Sequence, residues 1–280
     1  MKGSKTVRML LAGAAVAVLA LQSGIAPSAG SAAGVEAADG PFTYRAAYIC
    51  YTDGATSAAY ETWLEGEGFD VDLFPTAGWT IYLPLIFRSA ASGTSSGTEG
   101  TAALSIAAGA DTPDLSPYDL ILIGPYTGAD GTWHGSAELM GVISDTLKPV
   151  VALGEGGHAF LGQFGLEIGY PNGSEMSARS ARVAEPAQTR AIWEEARPVA
   201  RVDDVAQLYA APVNTVVISL PDHLPDGVRV GSLPGDVTRF PIVVQQERFV
   251  LWGFGDSPDG MTHAGRSLFL NVRELAEQDL

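Results

Sequence analysis

The sequence predicts an α/β fold, a three-layer sandwich around a mainly parallel sheet with a β-rich section toward the C-terminus. Three observations predict it. The chain from Arg45 to Phe74 alternates strand, helix and strand. Two short apolar runs, Tyr118–Ile123 and Pro149–Leu153, each end in a turn that contains glycine. An amphipathic stretch, Thr262–Leu275, closes the chain. Alternation of this kind is the mark of a doubly wound parallel sheet.

Each element follows from its local pattern. Arg45–Thr52 reads as the first strand, broken by Asp53-Gly54. Ser57–Gly66 carries Ala59, Tyr60, Trp63 and Leu64 at helical spacing, and Gly68 ends that helix. Phe69–Phe74 alternates apolar and acidic residues, as an edge strand does. Trp79–Phe87 is an apolar run read as a packed strand. The Gly-, Ser-, Thr- and Ala-rich stretch from about 89 to 113 reads as a flexible loop. After the run Tyr118–Ile123 and the turn Gly124–Gly128, Ser136–Leu147 is a helix, Pro149–Leu153 a strand and His158–Phe164 a helix. Beyond Pro171 the signals are mixed. A short helix is expected at Thr189–Ala196, and strands at Asn214–Leu220, Val228–Leu233, Phe240–Gln245 and Phe249–Phe254.

The ends and the charge narrow the function classes. Lys2, Lys5 and Arg8 precede an apolar core, Met9–Leu21, and small residues at Ser31-Ala32-Ala33, so residues 1–33 read as a secretory leader and 34–280 as one domain. The apolar core is short for a membrane span. Losing three basic and no acidic residues takes the formal charge from −16 to −19. Such a surface argues against nucleic acid and anionic membranes as partners. Cys50 is the only cysteine, so no intramolecular disulfide forms, and its strand context predicts a buried, unreactive thiol.

The stretch Gly154–Phe160, GEGGHAF, carries the functional question. A strand that runs through a glycine-lined turn into a helix is a common way to present a catalytic group, and here the side chain at the turn is Glu155. An ionised carboxylate at a helix N-terminus is stabilised, which favours a structural or ligand-binding role over general acid chemistry. Lacking the lysine and spacing of a phosphate loop, GEGG is not one.

Three stretches resemble the class I glutamine amidotransferase-like superfamily, which has a flavodoxin-like fold. YDLILIGPYTG at Tyr118–Gly128 resembles its strand and oxyanion loop, PVVALGEGGHAF at Pro149–Phe160 its nucleophile elbow, and MTHAGRSLFLNV at Met261–Val272 its closing helix. The resemblance places the family's nucleophilic cysteine on Glu155, its following glycine on Gly157 and its glutamine on Ala159. The family's histidine and glutamate fall within Trp252–Asp256, which holds no histidine. The resemblance therefore implies loss of cysteine-thioester chemistry. FVLWGFGDSPDGMT, at Phe249–Thr262, is similar to ThuA-like, trehalose-utilisation-type relatives that are not amidotransferases.

In an open parallel sheet ligands bind beyond the carboxyl ends of the strands. That edge gathers the expected ligand-binding residues Asp53, Gly54, Pro125, Tyr126, Thr127, Gly128, His134, Gly156, Gly157 and Asp256, around the candidate catalytic pair Glu155 and His158. The N–H groups of Gly156 and Gly157 are expected to face an anionic or carbonyl oxygen. Against a catalytic role, the family position matching His158 is a spacer often filled by histidine. Asp130, His134, Glu155 and His158 are of the types that form an oxygen/nitrogen metal cluster, but their spacing is not diagnostic, so neither metal nor cofactor is expected. His223 and His263 read as surface residues. Trp79, Trp133 and Trp252 are either stacking faces for a ligand or core. Two functions remain: an exported binding or accessory domain for a small polar ligand such as a carbohydrate, or a non-cysteine hydrolase or lyase that uses Glu155 as base.

Overall fold

A computed structural model describes residues 44–51, 54–76, 113–184, 187–194, 196–220 and 227–277. The leader, Asp53, the run Trp79–Phe87, nearly all of the 89–113 stretch and His223 lie outside the described residues.

The chain opens as β1 (Tyr44–Cys50), α1 (Gly54–Gly66) and β2 (Phe69–Pro75). β3 (Leu120–Ile123) then leads to a small hairpin, β4 (Gly128–Ala129) and β5 (Thr132–Trp133). α2 (Ala137–Asp145), β6 (Val150–Leu153) and α3 (Gly154–Gln163) follow. The second half comprises β7 (Gly173–Ala178), β8 (Ser180–Val183), α4 (Ala187–Glu194), β9 (Val205–Gln207) and β10 (Val213–Ser219). It closes with β11 (Gly227–Ser232), β12 (Arg239–Phe240), β13 (Ile242–Gln245), β14 (Phe249–Trp252) and α5 (His263–Glu277). All described residues belong to one compact unit.

The main sheet runs β2-β1-β3-β6-β14-β13-β11-β8-β9. Its first five strands are mutually parallel and the rest antiparallel. Counting only the parallel strands in chain order gives 2-1-3-4-5, the flavodoxin-like arrangement. The parallel core and a β-rich section toward the C-terminus were both expected; that this section extends the main sheet in antiparallel fashion is a finding of the structure. A second sheet, β12-β10-β7, was expected only in part, through β10 and Phe240.

Side-chain alternation explains why the parallel strands are apolar throughout. Ala46, Tyr48 and Cys50 enter one core and Ala47 and Ile49 the other. Val151 and Leu153 divide in the same way from Val150 and Ala152, and Val250 and Trp252 from Phe249 and Leu251. Successive residues of a strand face opposite sides, and both sides of this sheet are covered. On one side α1 and α5 meet the sheet through Trp63, Phe269 and Trp252, whose rings meet edge to face at 5.1 and 5.2 Å. On the other side Phe160 and Phe164 of the α3 segment pack toward Phe249. Cys50 is 5% exposed, as expected. The edge strand β2 turns Asp70 and Asp72 outward, where both pair with Arg45. Charge on an edge strand opposes pairing with another chain.

Candidate functional site

Because β1, β3, β6 and β14 are parallel, their carboxyl ends lie along one edge of the sheet. The second sheet meets that edge, since Val216 of β10 donates its N–H to Gly253 O at 2.8 Å, and Gly255 N–H returns to Asn214 O at 3.0 Å. The resulting cleft, about 250 Å³, is lined by Asp130, Glu155, His158, Tyr170, Gly173 and Glu175, among others.

The turn from β6 into α3 is tighter than the sequence suggested, for the helix begins at Gly154, not His158. Gly154 has φ +52°, and a Cβ there would lie 2.6 Å from Gly255 Cα. Only glycine fits that conformation and that approach. The left-handed residue at the turn is thus Gly154, the first of the helix, and Glu155 follows it within the helix's first turn.

The next two glycines serve close packing. A Cβ on Gly156 would meet Gly124 O and Thr127 N at 2.6 Å, and one on Gly157 would meet Ala152 C at 2.3 Å. Gly156 N–H donates to Pro125 O at 2.8 Å. This corrects the expectation that the Gly156 amide faces a ligand oxygen, because it is already engaged within the fold. Gly157 lies inside α3. Thr127, fully buried, turns its hydroxyl back to Gly124 O at 2.8 Å, so the 124–128 loop is held by its own polar groups.

Asp130 (φ +50°) and Gly131 (φ +73°) form the two-residue turn of the β4–β5 hairpin. Successive left-handed residues match the twist of a tight hairpin, and Asp-Gly is a favoured pair for it. Glu155 Oε1 accepts the Asp130 backbone N–H at 2.9 Å, tying the hairpin turn to the head of α3. The Tyr170 ring lies against Gly131, where a Cβ would come within 2.5 Å of it.

His158 forms the buried end of the cleft, 6% exposed. Its Nε2 has no hydrogen-bond partner among the described residues. The ring is hydrogen-bonded to the Gly169 backbone, so that bond runs from Nδ1–H to the carbonyl and leaves Nε2 as an acceptor. Burial lowers the pKa of the imidazole, opposed by the Gly169 hydrogen bond and by Glu175, and the net direction is downward. Gly173 stands next to Nε2, and a Cβ there would approach it to 2.8 Å.

The structure thus brings Glu155 and His158 together, with Asp130, and adds Tyr170, Gly173 and Glu175, which sequence reasoning missed. The other expected residues do not line this cleft. His134 is exposed and lies against Tyr51, with ring centroids 5.1 Å apart, Tyr126 is exposed, and Gly54 heads α1. Asp256 is exposed, and its carboxylate caps the Ser257 N–H at 2.7 Å. Pro125 and Gly128 are buried parts of the loop. Trp133 and Trp252, 3% and 0% exposed, are core side chains and offer no stacking face. Among the described residues no three His, Cys, Asp or Glu side chains are grouped as a metal site requires. No described helix is long and apolar enough to cross a membrane.

No family model matches the chain, and no curated protein matches it significantly. Among solved structures, the chain is similar to a protein from Thermoplasma acidophilum assigned as a component of GMP synthase, at 13% identity and TM-score 0.45, covering 83% of this chain and 94% of that one. It is similar also to PurLQS from Thermotoga maritima, at 13% identity and TM-score 0.45, covering 82% and 97%. Likeness at this level has no bearing on the chemistry of the cleft, and the fold assignment rests on the strand order itself.

Proposed function

We propose that the chain is an exported ligand-binding domain on a class I glutamine amidotransferase-like scaffold, near the ThuA-like branch, without the cysteine–histidine chemistry of the amidotransferases. It takes a small polar, hydroxyl-bearing ligand such as a carbohydrate in the cleft between the β4–β5 turn, the head of α3 and β7. The observation that carries this reading is the buried His158 Nε2, an acceptor with no partner among the described residues, at the base of a polar cleft. A buried acceptor left unpaired is costly, and a ligand hydroxyl would satisfy it. Glu155 and Glu175, on the same cleft, are further acceptors. Sugars offer many hydroxyl donors. The engaged Gly156 amide disfavours the alternative, a hydrolase that uses this glycine turn as an oxyanion hole.

The test is calorimetric titration of the protein with a panel of neutral mono- and disaccharides. One or more should bind, and Gly173→Ala, which places a methyl group against Nε2, should abolish that binding while the protein stays folded. If no sugar binds, or if Gly173→Ala binds as the parent does, the reading fails.

A further inference from the structure

Three arginines line one cavity of this acidic chain. Arg182 of β8, Arg190 of α4 and Arg229 of β11 line a cavity of about 380 Å³ that shares no lining residue with the cleft described above. The Arg182 Nε–H is buried and has no acceptor among the described residues. The guanidinium of Arg229 lies over the Phe240 ring at 5.2 Å, and Phe240 itself lines the cavity. The one carboxylate among the described lining residues, Asp204, stands 3.7 Å from Arg201 and so already has a cationic neighbour. Among the described lining residues Arg182 and Arg190 outnumber the one carboxylate, in a chain whose formal charge is −16.

We propose that this cavity is a second binding site, for a small ligand bearing a dianionic oxyanion of the phosphate-ester class. Arg182 and Arg190 supply the donors, and Phe240, Val183 and the stem of Arg229 provide a wall for the ligand's less polar body. Guanidinium is suited to this task because its planar N–H donors meet the oxygens of one anion in pairs. More than one cation in the lining favours a dianion over a single carboxylate. The cavity exceeds what a bare inorganic anion fills, at roughly 30 Å³ for each water-sized group, so an organic substituent fits beside the charged head.

The experiment follows the thermal unfolding midpoint of the full chain with inorganic phosphate, phenyl phosphate or benzoate, each balanced with sodium chloride to constant ionic strength. A ligand that binds only the folded state raises the midpoint as its concentration rises. Phosphate and phenyl phosphate should raise it, phenyl phosphate at the lower concentration, while matched chloride does not. Arg190→Gln, on the exposed face of α4, and Arg182→Gln should each weaken the apparent affinity about tenfold, the loss expected for one charge-assisted contact. Arg179→Gln, outside the cavity, should leave it unchanged. The proposal is overturned by a chloride response equal to that of phosphate, by no response to either phosphate species, or by equal responses in the parent, Arg182→Gln and Arg190→Gln. It is overturned equally if benzoate acts as strongly as phenyl phosphate. Sugar binding at the His158 cleft is read separately, so the failure of one site leaves the other standing.

Discussion

Glu155 Oε1 accepts the backbone N–H of Asp130 at 2.9 Å, and this one bond joins the first turn of α3 to the tip of the β4–β5 hairpin. The carboxylate therefore shapes one wall of the cleft. Glutamine retains a carbonyl oxygen that can accept the same N–H, so Glu155→Gln should fold normally and lose no more than about 1 kcal/mol of stability, the scale of a helix N-terminal charge at the surface. Its effect should fall on ligand affinity, measured by calorimetry with a sugar that binds the parent. If Glu155→Gln instead abolished a measurable turnover while binding persisted, Glu155 would be a catalytic base and the protein a hydrolase.

Two glycine-to-alanine substitutions should have opposite signs. Gly156→Ala forces a methyl group to 2.6 Å from the backbone at Gly124 and Thr127, which cannot swing away as a flexible side chain would. Overpacking of this kind costs about 1–3 kcal/mol or more. Gly141 lies inside α2, and a Cβ there meets nothing within 4 Å. Gly141→Ala should therefore gain roughly 1 kcal/mol from helix propensity alone. Urea unfolding of both variants against the parent measures the contrast.

α2 also ends on a residue poorly suited to its backbone. Leu147, just past the Thr146 cap, has φ +53° and is 77% exposed. A left-handed residue at this place is usually glycine, because a Cβ is strained there. Leu147→Gly should raise stability by about 1 kcal/mol and remove an exposed apolar group, detectable as a higher midpoint in urea. A lower midpoint would mean that Leu147 packs usefully after all.

The parallel core was legible because burial on both faces makes strands such as β3 and β6 continuously apolar, and such runs survive any view of the sequence. The second sheet was not. β7 reads GSEMSA and is largely exposed, so it carries no apolar alternation, and it is held in place by pairing with β10. Glu175, Gly173 and hence one wall of the cleft went unseen with it. The Asp130-Gly131 hairpin did leave a signal, the dipeptide itself, but its two-residue strands are too short to add a pattern. Nor does the spelling GEGG reveal which residue takes the positive φ. Contact with Gly255, distant in sequence, selects Gly154 and places Glu155 in the helix.

The burial of His158 makes stability depend on pH in a definite direction. Its folded-state pKa lies below the ordinary value of 6.5, chiefly through desolvation, with the Gly169 hydrogen bond and Glu175 opposing. In the unfolded chain the imidazole takes up its proton near 6.5, whereas the folded chain resists protonation until a lower pH. Between these two points the unfolded state binds more protons, so acidification favours unfolding. The stabilising contribution of neutral His158 is thus fully present above 6.5 and is lost as the pH falls through the folded value. Carboxylates titrate in part of the same range, so the measurement is a difference. Urea unfolding free energies for the parent and His158→Gln, taken from about pH 8 to about pH 5, should run parallel above the ordinary imidazole value. Below it the parent should fall faster, because glutamine has no proton to gain. Parallel curves through the whole range would show that the His158 ring charges freely in the folded protein, and the buried acceptor proposed for the ligand hydroxyl would then be absent at acid pH.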